Sequence, residues 1–198
     1  MSEYVPRLTA PHSDDLRWIQ IGSGGYNRCI YGSDGEPSVL PNCTGYVHGR
    51  WMELAGINTD TLGLAFTDAS GYWANSDGSL QRGSEPALGA CICYADRYGG
   101  AGHVAIVEAI SDDGTYIVAS ESNYGAEYFV TRVRYRNNDW SWYTNPHTIF
   151  QGFIYHPNIV PGPPIPPVPV RMKKILLLYA AYLNKKKGGK KNGLLWLK

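Results

Sequence analysis

The sequence predicts an α+β domain, with helices from its N-terminal part packed on an antiparallel sheet of five to six strands. Three observations predict it. One segment after residue 42 has helical spacing and a cap residue at each end. From residue 87 the apolar period changes to two, in five stretches separated by turn residues. The 198 residues also hold 23 Gly, 13 Pro, 15 Tyr and 6 Trp, a composition that suits a sheet rich in turns better than a helical bundle.

Residues 1–40 read as irregular, with turn signals at "GSGGYN" and "GSDGEP". "NCTGYVHGRWMELAG" then reads as a helix. Asn42 is a good N-cap, Val47, Trp51, Leu54 and Ala55 share a face, and Gly56 ends it. "TLGLAF" at 61–66 reads as a short helical turn, followed by polar loop. The five strands are "ALGACICYA", "GHVAIVEAI", "TYIVASES", "YFVTRVRYR" and "TIFQGFIYHP". The segments between them, such as "SDDG" and "NYGAE", are hairpin punctuation.

Charge divides the chain where hydropathy does not. Residues 1–170 contain nine Arg, no Lys and all 17 acidic residues. Residues 171–198 contain Arg171 and all eight Lys without an acid. Between body and tail, "PGPPIPPVPV" at 161–170 reads as an extended polyproline linker. The expected organisation is a domain over 1–160, the linker, and a basic tail or the start of a second module at 171–198. No secretory signal is visible at "MSEYVPRLTAPHSDDLRW". The longest apolar run, "ILLLYAAYL", is too short to span a bilayer, which takes roughly 20 residues. A protein made in the cytoplasm, without stable membrane insertion, is expected. Four cysteines in a chain of this size do not make a disulfide framework.

The chemistry turns on Cys43, at the first helical position after the Asn42 cap. It is open to four readings: buried thiol, half-disulfide, metal ligand or nucleophile. A helix start favours the thiolate, because its unpaired N–H groups and the dipole's positive end face the sulfur. A thiolate nucleophile needs a base, and the base needs an orienting group. His103 opens a strand behind the flexible "RYGGAG". His12, His147 and His156 read as surface residues, and His48 lies off the Cys43 face of its helix. Glu121 and Asn123 share a strand face, and burying them demands a partner such as an imidazole N–H. A solvent-facing strand end is the alternative. Cys91 and Cys93 share one face and read as core, since their spacing is not that of a zinc site. Trp73, Trp140 and Trp142 lie in polar loops, where they either line a groove or pack under the loops.

With "PNCTGYVHGRW", "GHVAIVE", "ESN" and "FQGFIYHP" in this order, residues 18–157 resemble the CHAP family, the cysteine, histidine-dependent amidohydrolase/peptidase domains. The resemblance implies a papain-like (NlpC/P60-type) fold, with Cys43 as nucleophile and His103 as general base. Glu121 would orient the imidazole and Asn123 would support it. Asn42, which stands where many members have Gln, and Trp73, Tyr124, Trp140 and Trp142 become candidate substrate contacts. The implied substrate is bacterial peptidoglycan, not nucleic acid, and the implied role is that of a phage endolysin acting on the wall. A virion tail-associated lysin or an inactive wall-binding module are the alternatives. No cofactor is expected. Some members bind calcium, and Asn27, Asp34 and Glu36 are the residues here that a calcium loop would draw on.

The tail yields one prediction. Attraction by exposed charges is screened within about 8 Å at physiological salt. Whole-cell binding by residues 1–160 and by the full chain should differ at low salt and converge as salt rises. Equal binding at low salt would remove the tail from targeting.

Overall fold

The computed structural model describes residues 4–11, 42–123, 129–141 and 146–159. Helix α1 (Cys43–Ala55) has the expected ends. Asn42 is extended, and its side-chain oxygen accepts a hydrogen bond from the Gly45 N–H at 2.7 Å. Gly56 closes the helix in the left-handed region, at φ 69°. The buried face differs from the predicted stripe. Every residue from Thr44 to Met52 is buried, including His48 and Arg50, while Leu54 and Ala55 are only half-buried. The cause is that chain covers α1 beyond its sheet face. Arg50 donates to the Val5 carbonyl, and His48 is held by Asp60 and the Ala65 carbonyl.

"TLGLAF" forms no helix. Gly63 is left-handed at φ 87°, and its carbonyl accepts from the Asp77 N–H, so the segment pairs with a neighbouring turn. Helical turns come slightly later, as a 3-10 turn at Ala69–Gly71 and the short helix α2 (Tyr72–Asn75).

The sheet has six strands: β1 (Arg82–Gly83), β2 (Cys91–Asp96), β3 (His103–Ile110), β4 (Tyr116–Glu121), β5 (Val130–Tyr135) and β6 (Thr148–Ile154). Their order is β1-β6-β2-β3-β4-β5, and every pairing is antiparallel. All five predicted strands are present. The sixth, β1, spans two residues and carries no period that a sequence could show. Strands β2 to β5 run as a meander, and β6 returns to pair with β2.

Both faces of the sheet are packed, which is why β2 and β3 read as nearly continuous apolar runs. Cys91, Cys93, Val104 and Ile106 meet Tyr46, Val47 and Trp51 of α1. Ile92, Tyr94, Ala105, Val107, Ile117 and Ala119 face the other way and pack with Trp140 and Phe153. The linker at 161–170 and the tail at 171–198 lie outside the described residues.

One polar hub joins these parts. Glu108 of β3 is 1% exposed. Its carboxylate accepts from Arg50 Nε at 3.0 Å, the Arg7 N–H at 2.8 Å, Tyr4 Oη at 2.8 Å and Ser120 Oγ at 2.6 Å. Tyr46 Oη in turn donates to Ser120 Oγ at 2.5 Å. Desolvating a carboxylate this far costs several kcal/mol, and only a full set of donors offsets it. Arg50→Met should therefore destabilise the fold by on the order of 3–5 kcal/mol. Urea denaturation followed by tryptophan fluorescence measures this, and an unchanged midpoint would show that the hub is not needed.

Candidate active site

The β3–β4 hairpin brings together residues 18 apart in sequence. His103 is the first residue of β3 and Glu121 the last of β4. His103 Nε2 donates to Glu121 Oε2 at 3.1 Å, and the two residues are 2% and 0% exposed. The approach to β3 requires Gly102. It is left-handed at φ 70°, and a Cβ there would lie 2.4 Å from the Tyr94 carbonyl oxygen.

Glu121 has two further partners, both from β5. Arg132 Nε donates to Oε1 at 2.7 Å, and an Arg134 terminal amine donates to Oε2. Arg134 is 1% exposed, and its guanidinium lies over the Tyr94 ring, 5.2 Å from the centroid. The Tyr94 ring is 6.2 Å from that of His103.

Cys43 enters from the N-terminus of α1. Its free thiol is half-buried against the core on the helix side of the sheet and forms a hydrogen bond with the His103 side chain. Since Nε2 is committed to Glu121, Nδ1 is the ring nitrogen that serves the thiol. Burial pushes the His103 pKa down, but the Glu121 charge and the bonds with Cys43 and Glu121 outweigh it and raise the value to about 9. Burial pushes the Glu121 carboxyl up, but Arg134, His103 and Arg132 hold it at about 2. The site thus favours an imidazolium on a charged carboxylate, next to a sulfur at a helix N-terminus. Such a group can hand a proton to a leaving amine and, once neutral, take one from a thiol or a water.

The remaining predicted residues fall into distinct places. The Asn42 side-chain oxygen caps α1, accepting from Gly45 N and Thr44 Oγ1 at 2.7 Å each. Asn123 is half-buried, two residues beyond Glu121. Trp73 is half-buried, with its ring edge over Gly152 and the Arg82 guanidinium 5.9 Å from the ring centroid. Trp140 is 3% exposed and packs edge-on to Phe153, so its ring is part of the core. Tyr124 and Trp142 lie outside the described residues, as do Cys29, His12 and the calcium candidates Asn27, Asp34 and Glu36. Among the described residues, no group of three His, Cys, Asp or Glu side chains is placed to hold a metal.

One histidine differs from the sequence reading, and a second has partners that the reading did not assign. His156 is 3% exposed, with Nε2 donating to the Trp51 carbonyl at 3.1 Å. His48 is fully buried, paired with Asp60 and stacked on Phe66 at 4.5 Å. The residues that sequence reasoning missed are Arg132 and Arg134. Their signal was present in "VTRVRY", where two arginines two apart share a face on the strand after Glu121.

Residues 32–123 match the CHAP domain family, a span that includes Cys43, His103, Glu121 and Asn123. No curated protein and no solved structure matches the chain. The family match implies hydrolase chemistry on peptidoglycan. Among the described residues, no helix is long and apolar enough to cross a membrane.

The two shifted groups predict how stability depends on pH. Glu121 falls from 4.5 to about 2 on folding, so its contribution is complete above pH 4.5 and is lost as pH drops through 2. His103 rises from 6.5 to about 9, so its contribution is complete below pH 6.5 and is lost as pH climbs through 9. The contribution of this pair to the urea midpoint should be complete between pH 4.5 and 6.5 and fall on either side, while His156, whose pKa burial lowers, draws the midpoint down as pH falls below 6.5. In Glu121→Gln the alkaline fall should shrink. If it keeps its wild-type size, the His103–Glu121 pair is not its source.

Proposed function

Proceeding from the CHAP domain at residues 32–123, we propose that this protein is a cysteine-dependent hydrolase on a papain-like fold, cutting an amide bond of bacterial peptidoglycan. The observation that carries the reading is His103, held between the Cys43 thiol and the Glu121 carboxylate. His103 Nδ1 takes the thiol proton, and Cys43 Sγ attacks the carbonyl carbon. The Cys43 N–H and Asn42 Nδ2 receive the developing oxyanion. The imidazolium then protonates the leaving amine, and the C–N bond breaks. Water, deprotonated by the same imidazole, attacks the thioester, and Sγ leaves as the thiolate.

The bond is either the one joining muramic acid to L-alanine or one within the stem or cross-bridge peptide. A domain followed by a Pro-rich stretch and a basic segment suits a phage endolysin that lyses its host. Cys43→Ala should lose wall-clearing activity by a factor on the order of 10⁴ or more. Turbidity of a cell-wall suspension measures this, with mass spectrometry of the released fragments to identify the new amine. Full clearing by Cys43→Ala would rule the mechanism out.

A further inference from the structure

Nothing in the Cys–His–carboxylate arrangement explains why Glu121 is gripped by two arginines. Both come from β5, beyond the residues that match the family. The register shows that this is not simple cross-strand pairing. Val130 lies opposite Glu121, Arg132 opposite Ala119, and Arg134 opposite Ile117. Both arginines therefore reach back along the sheet towards the end of β4, and Arg134 crosses the Tyr94 face to do so. A guanidinium that is 1% exposed is expensive to place and is held there by its carboxylate.

We propose that Arg134 and Arg132 are positioning residues of the active site: they clamp Glu121 and so set the pH range over which His103 is charged. The proposal rests on the catalytic reading of Cys43 and His103 given above.

The physical argument concerns how one carboxylate is shared. In a dry site, a carboxylate with a single imidazole partner binds the imidazolium as tightly as geometry allows, or takes its proton outright. Three donors on two oxygens change this. Arg132 occupies Oε1, while Arg134 shares Oε2 with His103. The clamp keeps Glu121 ionised and fixes its direction. It also neutralises part of the charge that His103 experiences, so the imidazolium is held less tightly than a lone glutamate would hold it. The other titratable groups around the pair are Cys43 from α1, Tyr94 from β2 and, acting on these two, Cys91 and Cys93 from β2 and Tyr72 from α2. Among these the arginines are the fixed positive charges.

The test follows the His103 ring by NMR across pH, with the signal assigned by its loss in His103→Asn. Removing Arg134 removes positive charge, so in Arg134→Met the midpoint should rise above the wild-type value, by about one unit. Arg132→Gln should raise it by less, and Glu121→Gln should lower it. Arg134→Lys keeps the charge and should restore a midpoint near wild type. A merely structural arginine would lower stability and leave the midpoints in place. A folded Arg134→Met with an unmoved midpoint overturns the proposal. If that variant does not fold, Arg132→Gln decides: its side chain is 22% exposed, and an unmoved midpoint there overturns the proposal equally. The titration needs no substrate. Wall clearing by Cys43→Ala would overturn the catalytic reading, whereas unmoved midpoints overturn only the clamp.

Discussion

A carboxylate removed from water must be met by positive charge or by a full set of donors, and this sheet buries two carboxylates on adjacent strands. Glu108 of β3 and Glu121 of β4 are 1% and 0% exposed. Each draws arginines to itself, Arg50 in one case and Arg132 with Arg134 in the other. Those arginines come from α1 and β5, so satisfying the two charges fixes where the helix and the last strand of the meander lie. Ser120 ties the two centres together, since it donates to Glu108 and is the residue before Glu121. Apolar packing gives the sheet its two faces. The buried acids give it a single register, because a slip of one residue would bring Glu121 to the helix side without its arginines.

The site occupies a place where rigidity is available from several sources. Cys43 is held by a capped helix whose every residue from Thr44 to Met52 is buried. His103 is held by a strand packed on both faces, and its ring is fixed by a hydrogen bond to a carboxylate that is itself held by two arginines. The thiol and the imidazole therefore meet at the junction of two stiff elements. Little reorganisation is left to either group, which is what preorganised charge requires.

Much of this was legible in the sequence for identifiable reasons. The helix was bounded by residues whose chemistry acts locally, Asn42 as a cap and Gly56 as a left-handed stop. The five main strands had a period of two and hairpin turns. The triad candidates stood out because polar residues at strand ends, next to apolar runs, need partners. What was not legible depended on contacts distant in sequence. Arg50 and Glu108, or His156 and Trp51, are ordinary surface residue types or loop neighbours until the fold brings them together. The "TLGLAF" turn failed because a left-handed Gly63 and its bond to residue 77 outweighed local helix propensity. Trp140, chosen for its polar surroundings, is buried because the residues after β5 turn back over the sheet, with its carbonyl accepting from Tyr94.

The Glu108 hub also bears on how this domain could be used as a part. Tyr4, Val5 and Arg7 lie more than a hundred positions from Glu108 or some forty-five from Arg50, yet they bond directly to both. The first few residues are therefore a latch over the interior, joined through Ser120 to the strand that carries Glu121. A chimaera that replaces them would uncover a buried carboxylate one hydrogen bond away from the strand that carries Glu121. A fusion partner is better accepted beyond the proline-rich stretch, where the described fold has already ended.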